Sequence, residues 1–324
     1  MARNRAEHIH RARRGEARSL SDLLRRFGIA VAFILLVAVL SFLSESFLTV
    51  SNLLNIARQV SINAIIATGM TFVILTGGID LSVGSVLAFS GAIIAGLLSA
   101  GRPLLAAIAA GLAVGALLGL VNGLIIAKGK VQPFIATLGM LTIARGATLV
   151  YTDGRPITGM PDTFVWLGAG EVGRIPVPVL IMGAVFLASY VVLTQTVYGR
   201  YVYAIGGNEE AARLSGVNVP FYKALVYVFS GLLSAASAVI LTARLNSAQP
   251  TAGFTFELDA IAAVVLGGTT LAGGEGGIGG TLLGAFIIGV LNNGLNLLNV
   301  SSFYQQVVKG AVILLAVLLD RRLR

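Results

Sequence analysis

The sequence predicts an all-α polytopic membrane protein of about ten transmembrane helices, with both termini on the cytoplasmic side. Three observations carry that prediction. The 324 residues are 56% hydrophobic and only 11% charged, whereas a soluble domain of this size carries about 25% charged residues. Apolar runs of about 17–25 residues, long enough to cross a hydrocarbon core as helices, recur along the chain. Forty glycines, well above the usual share of about 7%, suit helices packed through small residues, because lipid supplies no hydrophobic force between them.

Residues 1–26 read as a basic cytoplasmic tail, with eight Arg before Phe27. The run "FGIAVAFILLVAVLSF" follows. It has the outline of a signal peptide, but no small-x-small cleavage pattern comes before "SESFLTV", so it reads as an uncleaved first span. Residues 27–319 then form a single transmembrane domain, and 320–324 a short basic C-terminus on the cytoplasmic side. The first five spans fall at Phe27–Phe42, Leu53–Leu75, Val83–Leu98, Leu104–Ala127 and Phe134–Tyr151. The other five fall at Val177–Leu193, Tyr222–Ala243, Leu258–Ala272, Ile278–Leu298 and Tyr304–Leu319. The eighth is the shortest, and its Gly-rich flanks open the alternative of a broken or re-entrant helix.

Basic residues set the orientation. With the N-terminus inside, sixteen of them fall on cytoplasmic segments, against only Arg102, Arg155, Arg174 and Arg244 outside. Such a bias holds both termini in the cytoplasm. It also places there the charged stretch "GRYVYAIGGNEEAARLSGVNVPFYK", residues 199–223. Within it Asn208 is a good N-cap, Glu209 and Glu210 suit a first turn, and Ala211, Ala212, Arg213 and Leu214 sustain a helix that Gly216 can end. A helix of about two turns is too short to be stable alone, so neighbours must hold it. The long external loop from Thr152 to Pro176, with Asp153, Asp162 and Glu171, reads as a docking surface or an ordinary connector.

Several function classes are excluded. The net charge of +9 sits on the flanks of spans, and no basic face interleaved with aromatics exists to bind nucleic acid. There is no cysteine, and both histidines, His8 and His10, lie in the tail. A His-ligated metal enzyme or a Ser–His hydrolase therefore lacks its central residue. None of the four lysines precedes Ser or Thr, so no phosphate-binding loop of the G-x-x-x-x-G-K-[ST] type exists, and ATP would have to be bound by another subunit. "GGEGGIGG" contains G-x-G-x-x-G but lacks a strand–turn–helix context, and reads as a tight interhelical loop.

Polar residues within the spans are the candidate transport sites. In the second span Asn52, Asn55, Gln59 and Asn63 share one helix face. In the ninth, Asn292, Asn296 and Asn299 do the same, with Asn293 adjacent. Amides donate and accept without carrying charge, which suits a neutral polyol, and equally suits hydrogen bonds between helices. Asp80, beside Gly77 and Gly78 in "LTGGIDLSVGS", reads as a structural acid capping the third span. Arg145 and Lys309 are basic residues within predicted helices, where ionisable groups are costly and paired or pore-facing. Gly111, Gly115, Gly119 and Gly123 recur every fourth residue of the fourth span as a packing ridge.

Five segments in order carry a resemblance: "NAIIATGMTFVILTGGIDLSVGSVLAFSGAI", "KGKVQPFIATLGMLTIARGATLVYTDGRPI", "GRYVYAIGGNEEAARLSGVNV", "RLNSAQPTAGFTFELDAIAAVVLGGTTLAGGEG" and "LNNGLNLLNVSSFYQQVVKGAVILLAVLLD". The chain resembles the permease subunits of bacterial ABC sugar importers, nearest to those that carry ribose. The likeness covers nearly everything beyond Leu40 and leaves out the Arg-rich tail. It implies an inner-membrane permease pairing with a second copy of itself in the lipid. It further implies a cytoplasmic ABC ATPase that binds ATP and Mg, and a periplasmic sugar-binding protein. Residues 206–219 would be the segment that couples to the ATPase. No cofactor or metal is expected in this chain itself. The rival is a secondary transporter driven by an ion gradient, for which Asp80 and the Glu257/Asp259 region are the available intramembrane acids.

Overall fold

The computed structural model describes residues 28–323. The basic tail, residues 1–26, lies outside the described residues. Ten helices answer to the apolar windows: α1 (Gly28–Leu43), α2 (Val50–Leu75), α3 (Val83–Ser99), α4 (Leu104–Ala127) and α5 (Pro133–Thr152), then α7 (Val177–Gln195), α10 (Val219–Leu245), α11 (Phe256–Leu266), α12 (Ile278–Leu297) and α13 (Ser302–Leu323). Three more, α6 (Asp162–Ala169), α8 (Val197–Gly207) and α9 (Glu209–Leu214), lie in the connections. Six of the described helices, α2, α4, α5, α7, α10 and α12, are long and apolar enough to cross a membrane, while α1 and α3 are shorter apolar helices. The chain is an all-α polytopic membrane protein.

Strands are confined to two-residue pairings at the end of the bundle that carries α6. There β1 (Ile157–Thr158) runs antiparallel to β4 (Ser247–Ala248), and β2 (Glu171–Val172) to β3 (Ile175–Pro176). The opposite end carries α8 and α9.

One span departs from its sequence window. Helix α11 runs over Phe256–Leu266 rather than Leu258–Ala272, and its 11 residues reach about 16 Å against a hydrocarbon core of about 30 Å. It is therefore a half-helix. Gly268, at φ +84, turns the chain out of the helix. The apolar residues beyond it belong to a loop that folds over the end of α2, where the Gly274 amide donates to the Leu75 carbonyl at 2.9 Å.

Helices α2 and α10 form the centre. Every residue of α2 from Ala64 to Leu75 is buried, as expected of a helix that is apolar on all sides. The polar members of this stretch are satisfied within the bundle: Thr68 and Thr71 donate to the carbonyls of Ala64 and Ala67 at 2.9 and 2.8 Å, and the Thr71 hydroxyl also lies 2.7 Å from that of Thr281 of α12. The glycine ridge of α4 meets its neighbours directly. A Cβ at Gly115 would collide with the Gly231 carbonyl of α10, one at Gly119 with the Tyr227 carbonyl, and one at Gly123 with the Ala224 backbone, while Gly111 sits against Ile94 of α3. Away from the ridge, Leu105 and Leu117 of α4, Ile143 of α5 and Leu187 of α7 are exposed, which is the lipid-facing side of the bundle.

Candidate coupling segment and intramembrane polar sites

The charged stretch folds as α8 and α9. Asn208 caps α9, its side-chain oxygen accepting from the Ala211 amide at 2.9 Å. The helix closes on Gly216 at φ +86, where Gly216 N–H donates to the Arg213 carbonyl at 3.0 Å and Val217 N–H to that of Ala212 at 3.1 Å. This pair of bonds is a Schellman closure, which requires a left-handed residue that glycine adopts without strain. Ala212 is buried with Ile205 and Val219, so α9 is pinned by its neighbours. Glu209 reaches Lys223 of α10 at 2.6 Å, and Glu210 pairs with Arg213 at 2.6 Å. The hydrogen bond from Arg213 to Glu210 raises the guanidinium above its ordinary range. Leu214 stays 79% exposed, a large apolar side chain on an otherwise charged helix.

Beside α9 lies a cavity of about 680 Å³, lined among others by Lys130, Gln132, Glu209, Arg213 and Lys223. The loop between α4 and α5 supplies the facing wall through Lys130, Val131 and Gln132. The amphipathic α8 begins at Thr196, whose hydroxyl caps the Gly199 amide at 3.3 Å, and that Thr–Gly spacing is the sign of its start.

The two amide stripes meet, and half of their members are spent on each other or on nearby helices. Asn52 and Asn293 exchange both side-chain bonds, at 3.0 and 2.8 Å, tying α2 to α12. Asn55 accepts from Arg244 at 3.1 Å, and Asn296 from Gln305 at 2.8 Å. Gln59 is half-buried. Within the stripes Asn63 and Asn292 keep a buried amide oxygen without a partner among the described residues, as Asn122 of α4 does outside them.

Asp80 is fully enclosed in the break between α2 and α3, just past Gly77 and Gly78. Its carboxylate accepts from the Ser82 amide at 3.0 Å, the Ser82 hydroxyl at 2.6 Å and the Ser230 hydroxyl of α10 at 2.8 Å. Asn122 of α4 then donates to Ser82 at 3.0 Å. The acid thus ties three helices together at the start of α3. Asn122 was hidden in the sequence by the glycine ridge around it.

Two further charged groups stand deeper. Arg145 of α5 is half-buried and donates through Nη1 to the carbonyls of Pro250 at 2.7 Å and Ala252 at 2.8 Å, holding the loop between α10 and α11. Glu257, in the first turn of α11, lies against Gly84 of α3. Nearby, Asp259 forms an ion pair with Lys309 of α13 at 2.9 Å. At the α6 end, Arg58 pairs with Glu171. Among the described residues no group of three His, Cys, Asp or Glu side chains is placed to hold a metal ion.

The arrangement, a bundle with internal polar contacts and a capped charged helix at one end, suits transport rather than catalysis, and comparison with known proteins agrees. The chain is 57% identical over 296 residues to the ribose import permease protein of Escherichia coli K12, covering 90% of this chain and 92% of that one. It is 57% identical over 302 residues to the ribose import permease protein of Bacillus subtilis 168, with 93% and 94% covered. To the L-arabinose ABC transporter permease protein of Azospirillum brasilense the identity is 37% over 300 residues, with 93% and 88% covered. No solved structure matches. Residues 52–317 match the family described as "Branched-chain amino acid transport system / permease component", and the chain belongs to that family of permeases.

Proposed function

We propose that this chain is the membrane-spanning permease subunit of an ATP-driven importer in the bacterial inner membrane. It carries a monosaccharide, ribose in the first place, from a periplasmic binding protein into the cytoplasm. The observation that carries the reading is the 57% identity to ribose import permeases along nine-tenths of both chains. The family description names branched-chain amino acids, but relatives this similar in sequence weigh more than a family-wide label. ATP and Mg belong to a separate cytoplasmic ATPase.

In this reading ten segments enter the membrane, α11 only partway, with both termini in the cytoplasm as the basic-residue bias requires. Residues 27–319 act as one transmembrane domain. Helix α9, with Asn208, Glu209, Glu210, Ala211, Arg213, Leu214 and Gly216, is the part that docks on the ATPase, and the neighbouring cavity gives the partner surface room to enter. Two copies of the permease enclose the sugar route. The free amide oxygens of Asn63 and Asn292 are available to hydroxyls along it, while Asn52, Asn55, Asn293 and Asn296 hold the helices in register.

The test is reconstitution of the chain in proteoliposomes with an ABC ATPase and a ribose-binding protein from the same organism. Radiolabelled ribose should accumulate only when ATP and loaded binding protein are both present. Uptake that persists without ATP and collapses with an ionophore would instead identify a gradient-driven carrier.

A further inference from the structure

Among the described residues Arg58 of α2 pairs with Glu171 towards the α6 end, and three further sets of ionisable side chains lie within the bundle, two of them satisfied in place. Asp80 accepts three hydrogen bonds. Asp259 is 3% exposed and pairs with Lys309 at 2.9 Å. The third set, Arg145 and Glu257, is not closed in this way. The two meet at one loop, Arg145 holding Pro250 and Ala252 and Glu257 opening the helix that follows, but they form no direct ion pair, and Glu257 has no cationic partner within hydrogen-bonding reach among the described residues. Arg145 uses a single nitrogen on two loop carbonyls.

Their depth makes this unusual. Arg145 is the thirteenth residue of α5, which puts its Cα about 10 Å in from the α6 end of that helix. Glu257 starts a half-helix whose loop has descended into the bundle far enough for Gly253 to touch the first turn of α3, at Gly84. From Gly84 to the end of α3 at Ser99 is about 22 Å. Both groups are half-buried, and beside them Phe254 is 70% and Leu258 46% exposed. A carboxylate and a guanidinium thus reach an open side of the protomer at hydrocarbon depth. Charges facing lipid there cost about 3 kcal/mol each. They are tolerated where they line a water-filled cavity between packed elements.

We propose that Arg145 and Glu257 form the sugar-contacting point of the translocation route, on the wall that a second copy of the chain closes. This rests on the importer reading above and names its substrate contact. The chemistry fits a neutral sugar. The Glu257 carboxylate accepts the O–H groups of two adjacent hydroxyls, and the free N–H groups of Arg145 donate to hydroxyl or ring oxygens. Neither contact is so strong that it would hold the sugar in transit, because each exchanges for water in a wet cavity.

The decisive variant is Glu257→Gln, which keeps shape and polarity and removes the charge. In proteoliposomes with ATPase and binding protein, ribose taken up per ATP hydrolysed should fall about tenfold, the effect of weakening one charge-assisted hydrogen bond. The melting temperature and the stimulation of hydrolysis by loaded binding protein should stay as in the unmodified chain. Arg145→Lys, which can still hold the two carbonyls, should change the ratio of ribose to arabinose uptake. A second measurement does not depend on Glu257 tolerating substitution. Because the chain has no cysteine, Phe254→Cys and Leu258→Cys can be labelled with a small water-soluble thiol reagent, and turnover with ribose should slow the labelling. Uptake per ATP within about twofold of the unmodified chain, or cysteines reached only by lipid-soluble reagents, would overturn the assignment and leave the importer reading standing. Absence of ATP-dependent uptake in the unmodified chain would overturn both.

Discussion

Gly119 sits where two backbones touch. A methyl group there would meet the Tyr227 carbonyl oxygen and carbon of α10, and no side chain can swing aside to make room. Gly119→Ala should therefore lower stability by about 1–3 kcal/mol, the cost of forcing atoms into a filled space. Gly139 of α5 has nothing within 4 Å of the same position, so Gly139→Ala should be neutral or raise stability by up to about 1 kcal/mol through its helix preference. Thermal melts of the two variants in one detergent compare them directly, and equal losses would show that the ridge is not a contact. The ridge was legible in the sequence because a four-residue glycine repeat has one geometric meaning on a helix. The partners of the amides were not. Asn52 and Asn293 are 241 residues apart, and nothing in either stripe says which amide will find another and which will be left with a free oxygen.

At the scale of the element, α9 is the clearest case of local legibility. Its cap, its acidic first turn and its closing glycine are all set by neighbours within four residues, so the sequence alone delimits the helix. Variants of its exposed side test its role. Glu210→Arg and Leu214→Asp should each uncouple ATP hydrolysis from sugar uptake, or release the ATPase on purification. The permease itself should still insert, because Glu210 and Leu214 touch no core residue. Losing the burial of one leucine at a partner surface weakens docking by about 1.5–3 kcal/mol, or about ten- to a hundredfold. Co-purified ATPase and stimulated hydrolysis at the level of the unmodified chain in both variants would reject the docking role. Helix α11 was legible in part, since its Gly-rich flanks raised a broken or re-entrant helix without showing where the break falls. Its apolar composition continues past Leu266, and what stops it is the packing of Gly267 against Gly280 of α12 and the turn at Gly268, tertiary facts that a hydropathy window does not see.

For the whole molecule, the order of helices was written in the chain, since it follows from local composition. Which helices sit at the centre was not, because α4 and α10 are similarly apolar, yet one faces lipid and the other is largely enclosed. Sidedness is directly measurable in a chain without native cysteine. In intact cells an impermeant thiol reagent should label Arg155→Cys and spare Lys128→Cys, and the reverse pattern would invert the topology. The backbone seam between α4 and α10 has one more consequence, a mechanical one. Side chains between helices act as springs, since rotamers yield before backbones do. Along this seam the glycines from Gly115 to Gly123 meet α10 backbone and the Ala235 methyl group, with no flexible side chain against them, so the pair has little compliance. Helix α10 begins five residues after α9 ends, and a displacement delivered there is not absorbed at the seam. It should reach the far end of the bundle largely undamped, where α10 leads into the loop gripped by Arg145.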